Sequence, residues 1–279
     1  MATPSLSGNG QLENRVEKEF AVDASIRQNS EVTLDFTCLM TDFLYQYPPL
    51  QAGVLVNRYK RFFADIMLTS GETITAHCPN TGPMTGVCVL GNAVQVSPSN
   101  NPKRKLAYTW ELIQLTDNQP TWVGVNTGLP NRVIKLALEQ HLFPELGNYS
   151  EIKKEVVYGQ DSRSRVDFWL QGENQPIYLE VKNTTWAKEG LALFPDTVTT
   201  RGQKHLRELT TIVQQGGRAV MLYFINRGDC DRFSPGKEAD PVYAKLLKEA
   251  INIGVEVLPC RFEVTPLGIQ YLGLAKLEI

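Results

Sequence analysis

The chain has 279 residues, of which 42% are hydrophobic and 21% charged, and its formal net charge is −2. This length allows one large domain or two modest domains, each with its own core. The near-zero charge excludes a protein that attracts nucleic acid through a global basic excess, so such affinity has to come from local patches. The longest apolar runs, such as residues 219–225, are too short to span a bilayer, and we expect no membrane partner.

The cysteines and histidines form no pattern typical of a disulfide framework or a zinc site. The five cysteines are scattered without a close pair, and the three histidines lie far apart. We therefore expect reduced cysteines in a cytoplasmic protein. The cysteines are Cys38, Cys78, Cys88, Cys230 and Cys260.

Residues 1–39 differ in composition from the rest of the chain. They open with a polar, turn-rich run and hold six acidic residues against three basic ones. This composition is typical of neither a secretory signal nor an organelle transit peptide. We predict a weakly structured extension, either an appendage or the product of an upstream start, with the folded protein beginning near Met40.

Residues 40–118 are predicted to form a small β domain. Short strand candidates alternate with turns rich in glycine, asparagine and proline, which favours a small barrel or sandwich. Residues 117–120 mark the predicted end of this domain. The predicted strands are 53–56, 62–68, 73–77, 93–96 and 108–115.

Residues 119–279 are predicted to form an α/β domain. The second of its helices is expected to enter through Thr200, with Gln203 three residues later completing a capping box. The predicted helices are 130–141, 201–214 and 241–252, and the predicted strands are 153–158, 165–171, 177–182, 219–225 and 255–259.

Two of these strands are predicted to pair as a hairpin. A turn centred between Glu173 and Asn174 gathers the aliphatic and phenylalanine side chains of both strands on one face. The same register sets Asp167 directly opposite Glu180 on the other face, whereas a shift of one residue would mix the two faces. The Cβ atoms of the two acids are then expected to lie about 4.5–5.5 Å apart.

Two carboxylates at this spacing repel unless a cation lies between them. Mg²⁺, or Mn²⁺ in its place, is the candidate because it prefers oxygen ligands. Lys182 points to the same face as Glu180, where its ammonium could orient a water or neutralise charge on phosphorus. Asp167, Glu180 and Lys182 are therefore the candidate catalytic residues for phosphodiester hydrolysis. The alternative is a solvated Glu–Lys pair on an exposed strand.

Other charged residues near these strands could serve the same site. Glu151 or Glu155 is a candidate third metal ligand, with plain surface charge as the alternative. Arg201, Lys204 and His205 crowd the first turns of the second helix, and a helix N-terminus with added basic residues suits a phosphate. An exposed basic face is the alternative for these three.

Eight short motifs occur in order along residues 50–272: RYKRF at 58–62, HCPNTG at 77–82, KRKL at 103–106, VNT at 125–127, SRVDF at 164–168, EVK at 180–182, FPD at 194–196 and RGQKHL at 201–206. In these motifs the chain resembles the sugar fermentation stimulation protein A family. The resemblance implies an OB-like barrel followed by a PD-(D/E)XK nuclease-like α/β domain with a mixed central sheet. It also implies DNA binding and a regulatory role in sugar metabolism.

The same resemblance places Asp167, Glu180 and Lys182 at the signature positions of the nuclease fold. The chain departs from that signature at Val166, where the pattern has proline. Many relatives of the nuclease fold tolerate this substitution.

The barrel supplies the predicted nucleic-acid surface. OB-like barrels typically bind single strands through a basic groove and aromatic platforms. Strand alternation along residues 58–61 would place Arg58 and Lys60 on one face and Tyr59 and Arg61 on the other. The alternative is that the aromatic residues belong to the core and the cations only solubilise. The candidates are Arg58, Tyr59, Lys60 and Arg61 beside Phe62, and Lys103, Arg104 and Lys105 with Trp110 nearby.

The leading hypothesis is a largely sequence-nonspecific DNA-binding protein with a Mg²⁺-dependent nuclease site. Single- and double-stranded DNA are both candidate partners, RNA is a further one, and the oligomeric state is left open. The first alternative is a non-catalytic, DNA-binding transcriptional regulator that retains a nuclease fold. The second is a small-molecule enzyme or sensor linked to carbohydrate metabolism, which the lack of a glycine-rich phosphate loop or nucleotide fingerprint disfavours.

Overall fold

Three sheets and three α-helices organise the part of the chain that the computed structural model describes, residues 43–116, 119–158 and 164–279. The predicted extension, residues 1–39, lies outside the described residues. Within those residues no helix is both long and apolar enough to cross a membrane.

After a short first strand, β1 (Tyr45–Gln46), the chain forms a five-stranded barrel. The strands are β2 (Gln51–Tyr59), β3 (Phe63–Leu68), β4 (Thr73–His77), β5 (Ala93–Pro98) and β6 (Tyr108–Leu115). They lie in the order β4-β3-β2-β5-β6, and a parallel pairing of β4 with β6 closes the barrel. Alternate residues of β3 and β4 point into its core, as a half-buried strand requires. The predicted OB-like barrel is confirmed.

The barrel sheet continues beyond residues 117–120. Strand β7 (Thr121–Gly124) pairs antiparallel with β6, from Leu112↔Gly124 to Leu115↔Thr121. The sequence predicts no strand here because four residues are too few to show alternation. The barrel sheet therefore extends past the predicted domain boundary, whereas β1 belongs to the second sheet.

The second domain is built on a mixed seven-stranded sheet in the order β1-β16-β15-β13-β10-β9-β8, in which β10, β13 and β15 are parallel. Helix α1 (Pro130–Glu139) packs on one face, and helices α2 (Thr200–Gln214) and α3 (Pro241–Ile253) pack on the other. The central strand β13 is nearly all apolar because both its faces are covered. The remaining strands are β8 (Tyr149–Tyr158), β9 (Ser164–Gly172), β10 (Pro176–Thr184), β13 (Arg218–Ile225), β15 (Glu256–Val264) and β16 (Gly268–Leu274).

A small four-stranded sheet lies beside this domain and was not predicted. Its order is β11-β12-β14-β17, and each strand has only two to four residues. The strands are β11 (Trp186–Lys188), β12 (Leu191–Phe194), β14 (Arg232–Pro235) and β17 (Lys276–Leu277).

The predicted hairpin register is confirmed, whereas the predicted capping box of α2 is wrong. Strands β9 and β10 pair Leu170 with Ile177, Trp169 with Tyr178 and Phe168 with Leu179. Helix α2 is instead capped by Thr199, whose Oγ1 accepts the Gly202 N–H at 3.1 Å. The Gln203 amide donates to both carboxylate oxygens of Asp240 at 3.0 and 3.1 Å. A hydrogen bond to a carboxylate is stronger than one to a neutral backbone group, which explains why the Gln203 side chain binds Asp240 instead of capping the helix.

Candidate active site and nucleic-acid surface

Strands β9 and β10 bring Asp167 close to Glu180 at the point where the hairpin ladder ends. The last pair of the ladder is Phe168 with Leu179, so Asp167 and Glu180 are the next residues in register. Here the side chain of Asp167 takes the place of a backbone hydrogen-bond acceptor, since its Oδ2 accepts the Val181 N–H at 2.7 Å. Its Oδ1 accepts from Asn131 Nδ2 of α1 at 2.8 Å. Asp167 therefore joins the strand to the helix on one face of the sheet.

Glu180 lies at the centre of a buried cluster. Its side chain is 4% exposed, and its Oε1 accepts a hydrogen bond from Lys182 Nζ at 2.6 Å. The same oxygen is hydrogen-bonded to His205 Nδ1 of α2, while Arg201 Nε donates to His205 Nε2 at 3.4 Å. The cluster thus fixes Glu180 from both a strand and a helix.

One oxygen of Glu180 is left without a partner. Within the described part of the chain, Glu180 Oε2 is buried and makes no hydrogen bond. A buried carboxylate oxygen without a donor is costly, so such an atom calls for an explanation. A bound cation is one, because it would satisfy this oxygen directly.

The pKa values of the two carboxyl groups are shifted in opposite directions. Burial raises the pKa of Asp167, the charge of Glu180 raises it further, and the N–H donors of Val181 and Asn131 offset only part of this. Burial also opposes ionisation of Glu180, but Lys182 and His205 outweigh it and hold the pKa of Glu180 below its ordinary value. The surroundings therefore disfavour the charge of Asp167 and favour that of Glu180. Paired acids with divergent pKa values are typical of catalytic or metal sites.

The donor set fits a hard divalent cation with open positions. Two carboxylates supply the oxygen ligands that Mg²⁺ and Ca²⁺ prefer, and Mg²⁺ is commonly held by only one or two carboxylates plus waters and phosphates. Among residues 43–116, 119–158 and 164–279 there is no group of three or more His, Cys, Asp or Glu side chains that could hold a metal ion. A cation at this site would therefore depend on Asp167 and Glu180.

The candidate third ligands lie on the edge strand β8 and are exposed. Glu151 pairs with Lys153 at 3.1 Å. Glu155 is level with Asp167 in the β8–β9 register, but its backbone adopts a positive φ of 54°. The assignment of either glutamate as a metal ligand stays a prediction.

The three basic residues predicted on α2 occupy different environments. His205 is buried against Glu180, whereas Arg201 is exposed and holds the imidazole in place. Lys204 is half exposed and lies 3.5 Å from Glu208. Lys204 also lines a groove of about 690 Å³ that runs along the helix. Phosphate binding by these residues stays a prediction.

Sequence reasoning did not find Asn131 and Tyr158. Asn131 reaches Asp167 across 36 positions of sequence. The Tyr158 hydroxyl is buried near the acids: burial raises its pKa well above the ordinary value, and the charges of Glu180, Glu208 and Asp167 add to this. Asn131 follows a proline at the start of a helix, a position that offers no signal of its contact to a distant strand.

In the barrel, Arg58 is an internal support. Its Nη2 donates to the carbonyl oxygens of Asn80 and Gly82, both at 2.9 Å, so the guanidinium holds the 79–83 loop. The predicted alternation along 58–61 is wrong, because β2 ends at Tyr59 and the next two residues form a tight turn. Lys60 and Arg61 have φ values of 49° and 65°. In that conformation the strand period no longer sets where side chains point.

Most other residues of the predicted nucleic-acid surface are exposed. Tyr59 stacks on Phe63 with ring centroids 5.4 Å apart, and Phe62 is 49% exposed at the turn. Lys103, Arg104 and Lys105 lie on the loop before β6, where the Arg104 guanidinium donates to Thr109 Oγ1 at 3.0 Å.

Trp110, expected near this surface, lies fully inside the barrel. Its Nε1–H donates to the Leu112 carbonyl at 2.9 Å. It fills the barrel core because it lies on the inward face of β6, so it cannot serve as a stacking platform.

Family models match most of the described chain. Residues 56–125 match the SfsA N-terminal OB domain, which is the barrel with β7. Residues 128–268 match the sugar fermentation stimulation protein RE domain, which includes α1 and the whole Asp167–Glu180 cluster.

Curated relatives and one solved structure agree with the models. A sugar fermentation stimulation protein homolog of Nostoc sp. is 72% identical over 242 residues, 86% of this chain and 100% of the relative. The homolog of Synechococcus elongatus is 66% identical over 240 residues, with the same coverage. The structure of Pyrococcus furiosus SfsA in complex with Ca²⁺ matches with a TM-score of 0.77 and 26% identity over 85% of this chain and 99% of that one. The chain belongs to the sugar fermentation stimulation protein (SfsA) family.

Proposed function

We propose that this chain is a nucleic-acid-binding protein with a divalent-metal-dependent phosphodiesterase site, a nuclease, at Asp167, Glu180 and Lys182. One observation carries the proposal: within the described part of the chain, Glu180 Oε2 is buried without a hydrogen-bond partner, beside the Lys182 ammonium and close enough to Asp167 for the two carboxyl groups to interact. Such an atom is explained by a cation that both acids would share.

Asp167 and Glu180 are the residues that would hold the ion. The relative from Pyrococcus furiosus forms a complex with Ca²⁺, and Ca²⁺ and Mg²⁺ share a preference for carboxylate oxygen. We infer Mg²⁺ or Mn²⁺ as the catalytic ion. When bound, such an ion polarises the scissile phosphate and lowers the pKa of a bound water.

The remaining residues of the cluster would position the attacking water and the Glu180 carboxylate, and would neutralise charge on the phosphate. Lys182 lies 2.6 Å from Glu180, with its side chain 13% exposed, so its ammonium is held in place while still open to a ligand. It would orient the attacking water or neutralise charge that develops on the phosphate. His205 and Arg201 would fix the orientation of the Glu180 carboxylate through the Nδ1 and Nε2 bonds of the imidazole.

The barrel would supply most of the affinity. Exposed Lys60, Arg61 and the 103–105 loop are suited to phosphate contacts, and Tyr59 with Phe62 offers aromatic surface to bases. DNA, single- or double-stranded, is the proposed partner. Because binding would rest largely on phosphates, affinity should fall steeply with salt.

The test is incubation with end-labelled single- and double-stranded DNA and RNA in Mg²⁺, Mn²⁺ or EDTA. An Asp167→Asn variant serves as the matched control, because it keeps the side-chain shape and removes one charge. Cleavage that requires metal and disappears in the variant supports the nuclease. Cleavage that persists in EDTA, or equally in the variant, contradicts this site.

A second candidate function is a non-catalytic DNA-binding regulator of sugar metabolism that retains the nuclease fold. The occupied oxygens of Asp167 favour it: one accepts from Val181 N and the other from Asn131, so both already have protein donors. Tight, salt-sensitive DNA binding without cleavage in any metal would select this function. Calorimetric titration with Mg²⁺ and Mn²⁺ would then tell whether the two acids bind metal at all.

A further inference from the structure

A polar cleft of about 240 Å³ lies where the barrel meets the α/β domain, and the proposed chemistry does not use it. We call it the junction cleft. It lies between the 79–83 loop of the barrel, the segment after β7, the end of β10 and the strands β11 and β12. Its walls include Asn80, Thr127, Asn183, Thr184, Trp186 and Asp196.

Several motifs singled out in the sequence meet at this cleft. HCPNTG contributes Asn80, VNT contributes Thr127 and FPD contributes Asp196. The walls are tied together across the domains, since Thr127 Oγ1 donates to the Pro79 carbonyl at 3.1 Å and the Thr85 N–H donates to Asp196 Oδ2 at 3.3 Å. The cleft is thus built by the contact between the two domains.

One wall residue has an unsatisfied polar group. Thr184 is 1% exposed, and within the described part of the chain its Oγ1 is buried without a hydrogen-bond partner. A buried hydroxyl of this kind costs free energy unless a ligand or water meets it. Since Thr184 lines the cleft, a ligand there would lie over this hydroxyl.

The amides of the walls present donors. Asn80 Oδ1 accepts the Gly82 N–H at 2.9 Å, and Asn183 Oδ1 accepts from Asn226 Nδ2 at 3.0 Å. With both amide oxygens used, each side chain has its NH₂ group left for a ligand acceptor. The cleft therefore combines amide donors, a hydroxyl and the acceptor oxygens of Asp196.

The charge of the cleft disfavours a phosphate. Of the nine residues that line it, Asp196 is the one with an ionisable side chain, and a carboxylate repels anions. Trp186, Leu193 and Phe194 form an apolar, partly aromatic wall of the same cleft. A flat, neutral ligand with donors and acceptors along its edge matches both walls.

The position of the cleft ties it to the proposed active site. Thr184 follows Lys182 by two residues on β10, a distance of about 7 Å along the strand. A nucleic-acid strand with one phosphate near Lys182 could place a neighbouring base in the cleft.

We propose that the junction cleft binds one unpaired nucleobase of the nucleic acid. This inference rests on the proposed function and extends it by naming single-stranded or locally opened strands as the substrate class. Proteins that bind extruded bases read them by hydrogen bonds to the base edge and by contact with aromatic or apolar side chains. Bases with an exocyclic amino group, such as cytosine, suit the Asp196 acceptor best.

The test compares two fluorescent oligomers of equal length: oligodeoxycytidylate and a backbone of abasic tetrahydrofuran sites. Affinities are measured by anisotropy with the full chain in Ca²⁺. The wild-type protein should bind the base-bearing oligomer at least about tenfold more tightly, given the usual contribution of a bound base. Thr184→Val combined with Asp196→Asn should reduce that ratio several-fold without weakening the affinity for the abasic oligomer, which the loss of a carboxylate can only raise.

Each other outcome overturns the inference in a distinguishable way. If the double variant keeps the wild-type ratio of affinities for the two oligomers, the preference for bases comes from the aromatic residues of the barrel alone. Equal weakening for both oligomers would make the cleft a support for the fold or the backbone site. Failure of the wild-type protein to bind either oligomer would refute the proposed nucleic-acid function itself, and the base site with it.

A stability measurement separates ligand binding from folding. Thr184→Val alone should leave the melting temperature unchanged or raise it, because the lost hydroxyl has no hydrogen-bond partner among the described residues. Thr73→Val, at the exposed start of β4, is the matched control. A clear fall in melting temperature for Thr184→Val alone would give the hydroxyl a structural role and contradict the inference.

Discussion

The charged residues of the candidate active site and the cations of the predicted barrel surface occupy opposite environments. Glu180 and Lys182 are buried or nearly so, and Glu180 Oε1 is hydrogen-bonded to both Lys182 and His205. The turn and loop residues Arg61 and Lys103 are exposed. Arg58 differs from these two cations, because it turns its guanidinium onto backbone carbonyls.

The contrast shows that charge has a different role in each domain. In the hairpin, burial makes each charge interaction strong and geometrically fixed, which suits chemistry. On the barrel, solvent weakens each contact, so affinity has to come from several cations acting together. Replacing single charged residues should therefore have large effects on catalysis in the hairpin and small, additive effects on nucleic-acid affinity in the barrel.

The largest expected effect is that of Lys182→Met on catalysis. If the ammonium orients the water or neutralises the phosphate, metal-dependent cleavage should fall about 10²–10⁴-fold, measured as single-turnover rate on end-labelled DNA. Lys188→Met, which removes an exposed lysine of β11 paired with Glu238, should leave the rate unchanged. A rate within threefold of wild type for Lys182→Met would remove lysine from the mechanism.

Arg58→Ala should lower the stability of the protein more than a substitution of an exposed barrel cation. It leaves the carbonyls of Asn80 and Gly82 without their charged donor, at a cost of about 2–3 kcal/mol. Thermal denaturation should show a melting temperature lower by roughly 5–10 °C. Arg61→Ala, at the exposed turn, should leave it unchanged. Equal, small effects of the two substitutions would show that Arg58 supports no loop.

The double variant Lys103→Ala, Lys105→Ala should weaken DNA binding about 3–10-fold near 0.1 M salt. The slope of log affinity against log salt should shrink by about 0.7–0.9 for each lost phosphate contact. Lys245→Ala, on the exposed face of α3, provides the comparison. An unchanged salt slope would exclude the 103–105 loop from the binding surface.

The smallest expected effect is a gain in stability for Asp167→Asn. Burial and Glu180 raise the pKa of Asp167 above its ordinary 3.8, so ionising it costs stability at neutral pH and costs nothing below pH 3.8. The variant should melt about 2–4 °C higher at pH 7, and the gain should shrink as pH falls towards 3.8. The Asn131 amide can rotate to accept from the new NH₂ group.

Asp231→Asn, at a strongly exposed carboxylate, is the control for this gain. A lower melting temperature of Asp167→Asn at pH 7 would show that the hydrogen bonds of the carboxylate outweigh its burial.

Much of the hairpin was accessible from sequence because local rules determine it. The turn at Glu173 and Asn174 and the two-residue period of the strands together set one register, and the structure has that register. Asp167 and Glu180 follow from it without knowledge of any other element. The closed barrel was accessible for a similar reason, since its strands are short and separated by clear turns.

The contacts that complete the site could not be predicted in this way. Asn131 and Tyr158 reach Asp167 and its neighbours from other elements, and no local pattern encodes such distances. Arg58 looked like a surface cation because its partners, Asn80 and Gly82, lie 22 and 24 positions away. The small β11-β12-β14-β17 sheet could not be predicted, because strands of two to four residues are too short to show an alternation of polar and apolar residues.

The short strand β1 has a consequence for how the two domains are joined. It pairs with β16, Tyr45 with Ile269 and Gln46 with Gly268, before the chain enters the barrel. Gly268 permits this approach, since a Cβ there would lie 2.5 Å from the Tyr45 carbonyl oxygen. The chain thus leaves the α/β sheet, builds the barrel and returns through α1, so that the barrel is an insertion tethered at both ends. Two tethers restrict rotation of the barrel against its neighbour far more than a single linker would, and a fragment cut between the domains would leave β16 with an open edge.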